Sequence, residues 1–115
     1  MARGDRLAKL DERRVELEAE YRAALLAALR ETAAGRWGLF GHGKDKWTIA
    51  NAAPVVESLT EMGEAIDGMR ETLGIAPFAL HADFVASRGA VKSHAAGEPK
   101  QAQAWLARLD ADTAA

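Results

Sequence analysis

The chain has 115 residues, enough for one domain, with a formal net charge of −2 and no cysteine. The absence of cysteine excludes disulfides, thiolate zinc sites and cysteine nucleophiles. Apolar runs stay below the roughly 18 residues of a membrane span, and no segment carries the Lys/Arg density that a phosphate backbone requires, so neither membrane nor nucleic acid is an expected partner.

The first segment, from Asp5 to Ala34, holds strong helix formers and has no proline or internal glycine, so a helix is expected over 5–34. Leu7, Leu10, Leu17, Tyr21, Ala24 and Ala28 recur at three and four residues and form one stripe, interrupted by Arg14. Leu25, Leu26 and Leu29 widen the apolar face toward the C-terminal half. Gly35 stands where a left-handed helix cap belongs. No apolar run follows the charges of "MARGDRLAKLDERR", so no leader is expected there.

A connection over 35–50 follows. Its core, "GRWGLFGHGKDKW", places four glycines, two tryptophans and one phenylalanine between Gly35 and Trp47. From Gly38 it runs G-L-F-G-H-G-K-D, which differs from the G-x-x-x-x-G-K-[ST] nucleotide signature only at Asp45. In that signature a Ser/Thr hydroxyl holds magnesium, and the loop joins a buried strand to a helix. Here it follows a helix end in a chain without a strand pattern. A nucleotide loop is therefore set aside.

Two readings of the connection stay open. Trp37, Phe40 and Trp47 fold back to plug the open end of a helical hairpin, or they face outward as a contact patch with Arg36, Lys44 and Lys46 steering a charged partner. The run Gly35-Arg36-Trp37-Gly38-Leu39-Phe40-Gly41, preceded by an alanine-rich helix, resembles a segment of small uncharacterised bacterial proteins. The resemblance covers at most a third of the chain and implies no activity.

The second helix is expected over 52–73. Val55, Leu59, Met62, Ile66, Met69 and Leu73 follow 4-3-4-3-4 spacing, Pro54 suits its first turn and Gly74 its cap. Gly63 and Gly68 weaken a continuous helix or mark close approach by a neighbour. Glu57, Glu61, Glu64 and Glu71 lie off the apolar stripe and read as a solvated face. A third helix is expected over 77–88 with Phe78, His81, Phe84 and Val85 inward, and a fourth over 99–110 with Ala102, Trp105, Leu106 and Leu109 inward. The tail "ADTAA" is expected to fray.

His42, His81 and His94 share no spacing that would bring two ligands to one helical face, so neither metal nor cofactor is expected. Loop placement is expected for His42, an edge-of-core position for His81 and an exposed one for His94. The expected architecture is all-α: an antiparallel pair of long helices, with two shorter helices completing a small bundle. A first helix about 45 Å long exceeds the roughly 35 Å diameter of a compact domain of this size, which leaves Leu7, Leu10 and Leu17 to be covered either by a second copy, the homodimer preferred here, or by the fourth helix folding back over that end. The functional expectation is a non-catalytic interaction or assembly protein. Its alternative is a small-molecule binder or enzyme with a pocket under residues 35–47, using His42, Lys44 or His81. Heavy alanine use and an excess of arginine over lysine suit a bacterial gene of high GC content, and a cytoplasmic location is the default.

Overall fold

The computed structural model describes residues 3–39, 46–90 and 98–114. Among them are four helices and no strand: α1 (Arg3–Ala33), α2 (Lys46–Leu73), α3 (Ala79–Ala90) and α4 (Glu98–Ala114). The all-α expectation holds. Helix α1 packs against α2 and α4, and α3 packs against α2. No helix of the described residues is long and apolar enough to cross a membrane.

Both long helices stop for the reason their glycines suggest. Gly35 and Gly74 adopt φ of 82° and 74°, the left-handed region that a side chain disfavours. At the first, Gly35 N–H donates to the Thr32 carbonyl and Arg36 N–H to that of Glu31; at the second, Gly74 donates to Glu71 and Ile75 to Arg70. This paired pattern is the Schellman cap, which occupies carbonyls that a helix end leaves bare.

Several boundaries differ from expectation. Helix α2 begins at Lys46 rather than residue 52, so the connection is shorter than 35–50 and Pro54 lies inside the helix. Proline withholds an N–H and ordinarily breaks a helix interior. Here Pro54 is itself exposed, while Ala52 two residues earlier is buried. Helix α4 continues to Ala114, through most of the tail expected to fray.

The core is built from the expected stripes. Tyr21, Leu25, Ala28 and Leu29 of α1 meet Leu59 and Ile66 of α2, Phe84 of α3, and Ala102, Trp105 and Leu109 of α4. Phe84 and Trp105 meet edge to face at 6.4 Å between ring centres, the arrangement that suits their quadrupoles. Two expectations fail. Val85 is 51% exposed rather than inward, because Phe84 takes the buried position beside it. Leu17 is not bare, since it packs against the core cluster. Leu7 and Leu10 are half-buried and do not belong to that cluster.

Gly63 explains how α3 comes so close to α2. A Cβ built on it would lie 2.3 Å from His81 Cδ2 and Nε2, so the imidazole occupies the space a side chain would take. Gly68 has no such neighbour. Of the two glycines expected to weaken α2 or admit a neighbour, the first admits one and neither interrupts the helix.

Candidate functional site

Of the glycine- and aromatic-rich connection, residues 35–39 are among the described residues. Leu39 is fully buried in the core cluster, Gly38 is buried, and Trp37 is half-buried against the cluster. Arg36 is exposed and ion-paired with Glu31, whose carboxyl the Arg36 hydrogen bond holds below its ordinary range. Phe40, His42 and Lys44 lie outside the described residues, as do the side chains of Lys46 and Trp47 at the start of α2. His94 is also outside them. The structure therefore brings Trp37 toward the core with Leu39, a plug residue the sequence reading missed. An apolar leucine between Gly38 and Phe40 was the available signal.

Among the described residues, polar side chains concentrate where the end of α2 meets α1. Arg70, in the last turn of α2, places Nε 2.8 Å and Nη2 3.0 Å from the two carboxylate oxygens of Glu18. Its Nη1 donates to the Ala76 carbonyl at 2.9 Å, and its guanidinium lies 5.3 Å over the Phe78 ring. Such a fork fits a carboxylate and stacks on an aromatic face, which lysine cannot do equally. Arg14 also donates to Glu18 at 2.8 Å and reaches Asp11, so the arginine that interrupts the α1 stripe becomes part of this cluster. Burial pushes the Glu18 carboxyl up, but hydrogen bonds from Arg70 and Arg14 outweigh this and hold it below the usual carboxylate range.

Behind the clasp lies a second, drier arrangement. Phe78 N–H donates to Asp67 at 2.8 Å, tying the start of α3 to α2. The Phe78 ring meets Tyr21 edge to face at 5.3 Å. Tyr21 is fully buried, and its hydroxyl shares a 2.7 Å hydrogen bond with His81 Nδ1. Burial, reinforced by the charge of Asp67, pushes the Tyr21 phenol well above its ordinary value. His81 is therefore further inside than the core edge: it is 7% exposed, enclosed between Tyr21 and Gly63. This hydrogen bond between two buried side chains specifies how α3 seats.

Two surface cavities border this region. One, of about 410 Å³, lies between α1, the start of α3 and α4, with Glu18, Arg22, Phe78, Leu80, Asp83 and Arg108 among its walls. Its charges are engaged: Arg22 donates to the Leu109 carbonyl at 2.9 Å, and Arg108 reaches Asp83 at 3.2 Å while lying 4.6 Å over Trp105. The other, of about 290 Å³, follows the α1/α2 flank and is lined by Arg13, Glu16, Leu17, Glu20, Ala65 and Met69. Among the described residues no group of three or more His, Asp or Glu side chains is disposed to hold a metal ion.

Comparison with known proteins finds no matching family model, curated protein or solved structure. The functional reading therefore rests on the geometry of this chain.

Proposed function

We propose that the chain is a small non-catalytic interaction or assembly protein acting as a homodimer, with the N-terminal part of α1 at the contact. Its architecture is taken to be an antiparallel α1/α2 hairpin with α3 and α4 closing a small bundle. The Arg70–Glu18 clasp supports the antiparallel sense. Were α1 and α2 parallel, about 58 Å would separate Ala33 from Lys46, beyond the roughly 45 Å that the twelve intervening residues can span.

The observation that carries the reading is the stagger of this hairpin. Arg70 meets Glu18 and α2 ends three residues later, whereas α1 continues for another fifteen residues toward Arg3. That extension is on the order of 20 Å of helix. It carries Leu7 and Leu10, both outside the core cluster. A radius of gyration of 15.8 Å, against the roughly 13 Å of a compact chain of this length, agrees with an extended helix that a second copy would cover. The enclosed Tyr21–His81 pair supports the non-catalytic half of the reading, and a cytoplasmic setting suits a chain without cysteine.

Trp37, Phe40 and Trp47, with Arg36, Lys44 and Lys46, remain the proposed contacts for any further partner at the opposite end. The alternative is a ligand pocket under residues 35–47; the two cavities described above lie along α1 and do not bear on it. Light scattering on the full chain tests the proposal: a mass of twice 12.3 kDa at tens of micromolar is expected, and a monomer at that concentration overturns it.

A further inference from the structure

One flank of α1 carries a charge order that no ion pair among the described residues uses. Arg6, Lys9, Arg13, Glu16 and Glu20 follow 3-4-3-4 spacing, so they line one face of the helix, basic toward its start and acidic after it. All five are exposed, and among the described residues none forms an ion pair within the chain. Like charges three or four apart, as at Arg6/Lys9, Lys9/Arg13 and Glu16/Glu20, weaken an isolated helix. Of the four steps along the row only Arg13/Glu16 is opposite in sign, so the row gains little from its own neighbours.

The same flank opens into the 290 Å³ cavity, whose walls include Arg13, Glu16 and Glu20, with Leu17 of α1 and Ala65 and Met69 of α2 supplying apolar surface. A row that is positive at one end and negative at the other complements itself only when turned end for end. We propose that two copies of this chain pair antiparallel along this flank about a twofold axis between residues 14 and 15, placing Lys9 of each copy against Glu20 of the other and Arg13 against Glu16.

Four opposite-charge pairs result, with no like pair on the axis. A parallel pairing would instead stack basic on basic and acidic on acidic. Leu17, Ala65 and Met69 receive the aliphatic stems of the facing Lys9 and Arg13 side chains, which cover apolar surface while their charged heads stay at the rim. The interface is isologous, as a twofold dimer requires. The acidic exposed Glu61, one turn before Ala65 on α2, adds to the field that draws the basic end inward.

This surface rests on the homodimer reading but takes the charged flank of α1, rather than Leu7 and Leu10, as its contact, and it is separately testable. The charge variants Lys9→Glu/Arg13→Glu and Glu16→Lys/Glu20→Lys each give the four paired positions a single sign. Each alone is expected to dissociate at concentrations where the wild-type chain is dimeric, with the dimerisation constant weakened by at least roughly 30-fold, since exposed pairs contribute only modestly one by one. Mixing the two restores all four attractive pairs, so a heterodimer of wild-type-like affinity should form, readable by light scattering with one variant carrying a mass tag. Helical circular dichroism of each variant confirms folding. A wild-type monomer overturns both this surface and the homodimer reading. A wild-type dimer that both variants retain, or two dissociated variants that do not combine, overturns this surface alone.

Discussion

Two glycines one and a half turns apart on α2 separate two physical effects that a glycine can represent. Alanine in a helix interior is favoured over glycine by about 1 kcal/mol. At Gly68 nothing lies within 4 Å of the added methyl, so Gly68→Ala should stabilise the protein by about 0.5–1 kcal/mol. At Gly63 the methyl would fall 2.3 Å from the His81 ring, and overpacking of that kind costs about 1–3 kcal/mol, so steric cost exceeds propensity and Gly63→Ala should destabilise. Urea midpoints for the pair measure both signs. A stabilised Gly63→Ala would mean that His81 withdraws without loss. Its partner makes withdrawal costly: Tyr21→Phe removes the 2.7 Å bond and leaves a buried ring nitrogen without its hydrogen bond, a loss of about 1–3 kcal/mol at neutral pH. Because the folded state holds the phenolic proton more tightly than the unfolded chain, the stability tied to Tyr21 is full below pH 10.0 and declines as pH rises above it. The gap between wild type and Tyr21→Phe should therefore narrow on the alkaline side, in denaturant titrations run at successive pH values.

At the scale of elements, the Arg70–Glu18 clasp fixes where α2 stops relative to α1. Its acid response has the opposite sense to that of Tyr21. With the folded-state carboxyl of Glu18 held below its ordinary 4.5, the associated stability is present above that pH and is lost as pH falls below it toward the lowered value. Glu18→Gln should cost about 1.5–3 kcal/mol at pH 7, typical of a hydrogen bond to a charged group, and its deficit should shrink below pH 4 in the same titrations. Arg70→Lys tests the fork, since a lysine cannot hold Glu18 bidentately, reach Ala76 and stack on Phe78 together. The helices themselves were legible from residue periodicity: the stripe through Leu59 and Ile66, and that through Ala102, Trp105 and Leu109, are the ones buried. The clasp was not, because Glu18 and Arg70 are 52 positions apart and their meeting depends on the hairpin stagger. Pro54 misplaced the start of α2 because a proline marks a first turn and an exposed interior site with the same letter. Val85 was misjudged because Phe84, one position earlier, took the inward place. Of the candidate contact residues, Trp37 was recognisable as a large ring in a short connection, but whether a ring plugs or protrudes is decided by the packing around Leu39, which carries no periodic signature.

At the scale of the whole molecule, the antiparallel pairing predicts a shape as well as a mass. The protomer measures 54 × 29 × 20 Å, with α1 along much of its length. An axis between residues 14 and 15 lies about 17 Å from the N-terminal end of α1, which leaves roughly 37 Å of protomer on the other side. Turning a second copy about that axis gives a particle about 75 Å long, with its two bodies displaced to opposite ends and the α1 helices overlapping in the middle. End-to-end association would approach about 108 Å, and a parallel pair would stay near the protomer's own length. Small-angle scattering on the full chain distinguishes these three: doubled mass with a maximum dimension near 75–80 Å is expected, and either other length at the same mass excludes the proposed axis. Raising the salt should lower the dimer fraction without changing that dimension, because exposed ion pairs are screened within about 8 Å at physiological ionic strength while the apolar contact at Leu17, Ala65 and Met69 is not. A dimer whose fraction is insensitive to salt would place its energy outside the charged flank.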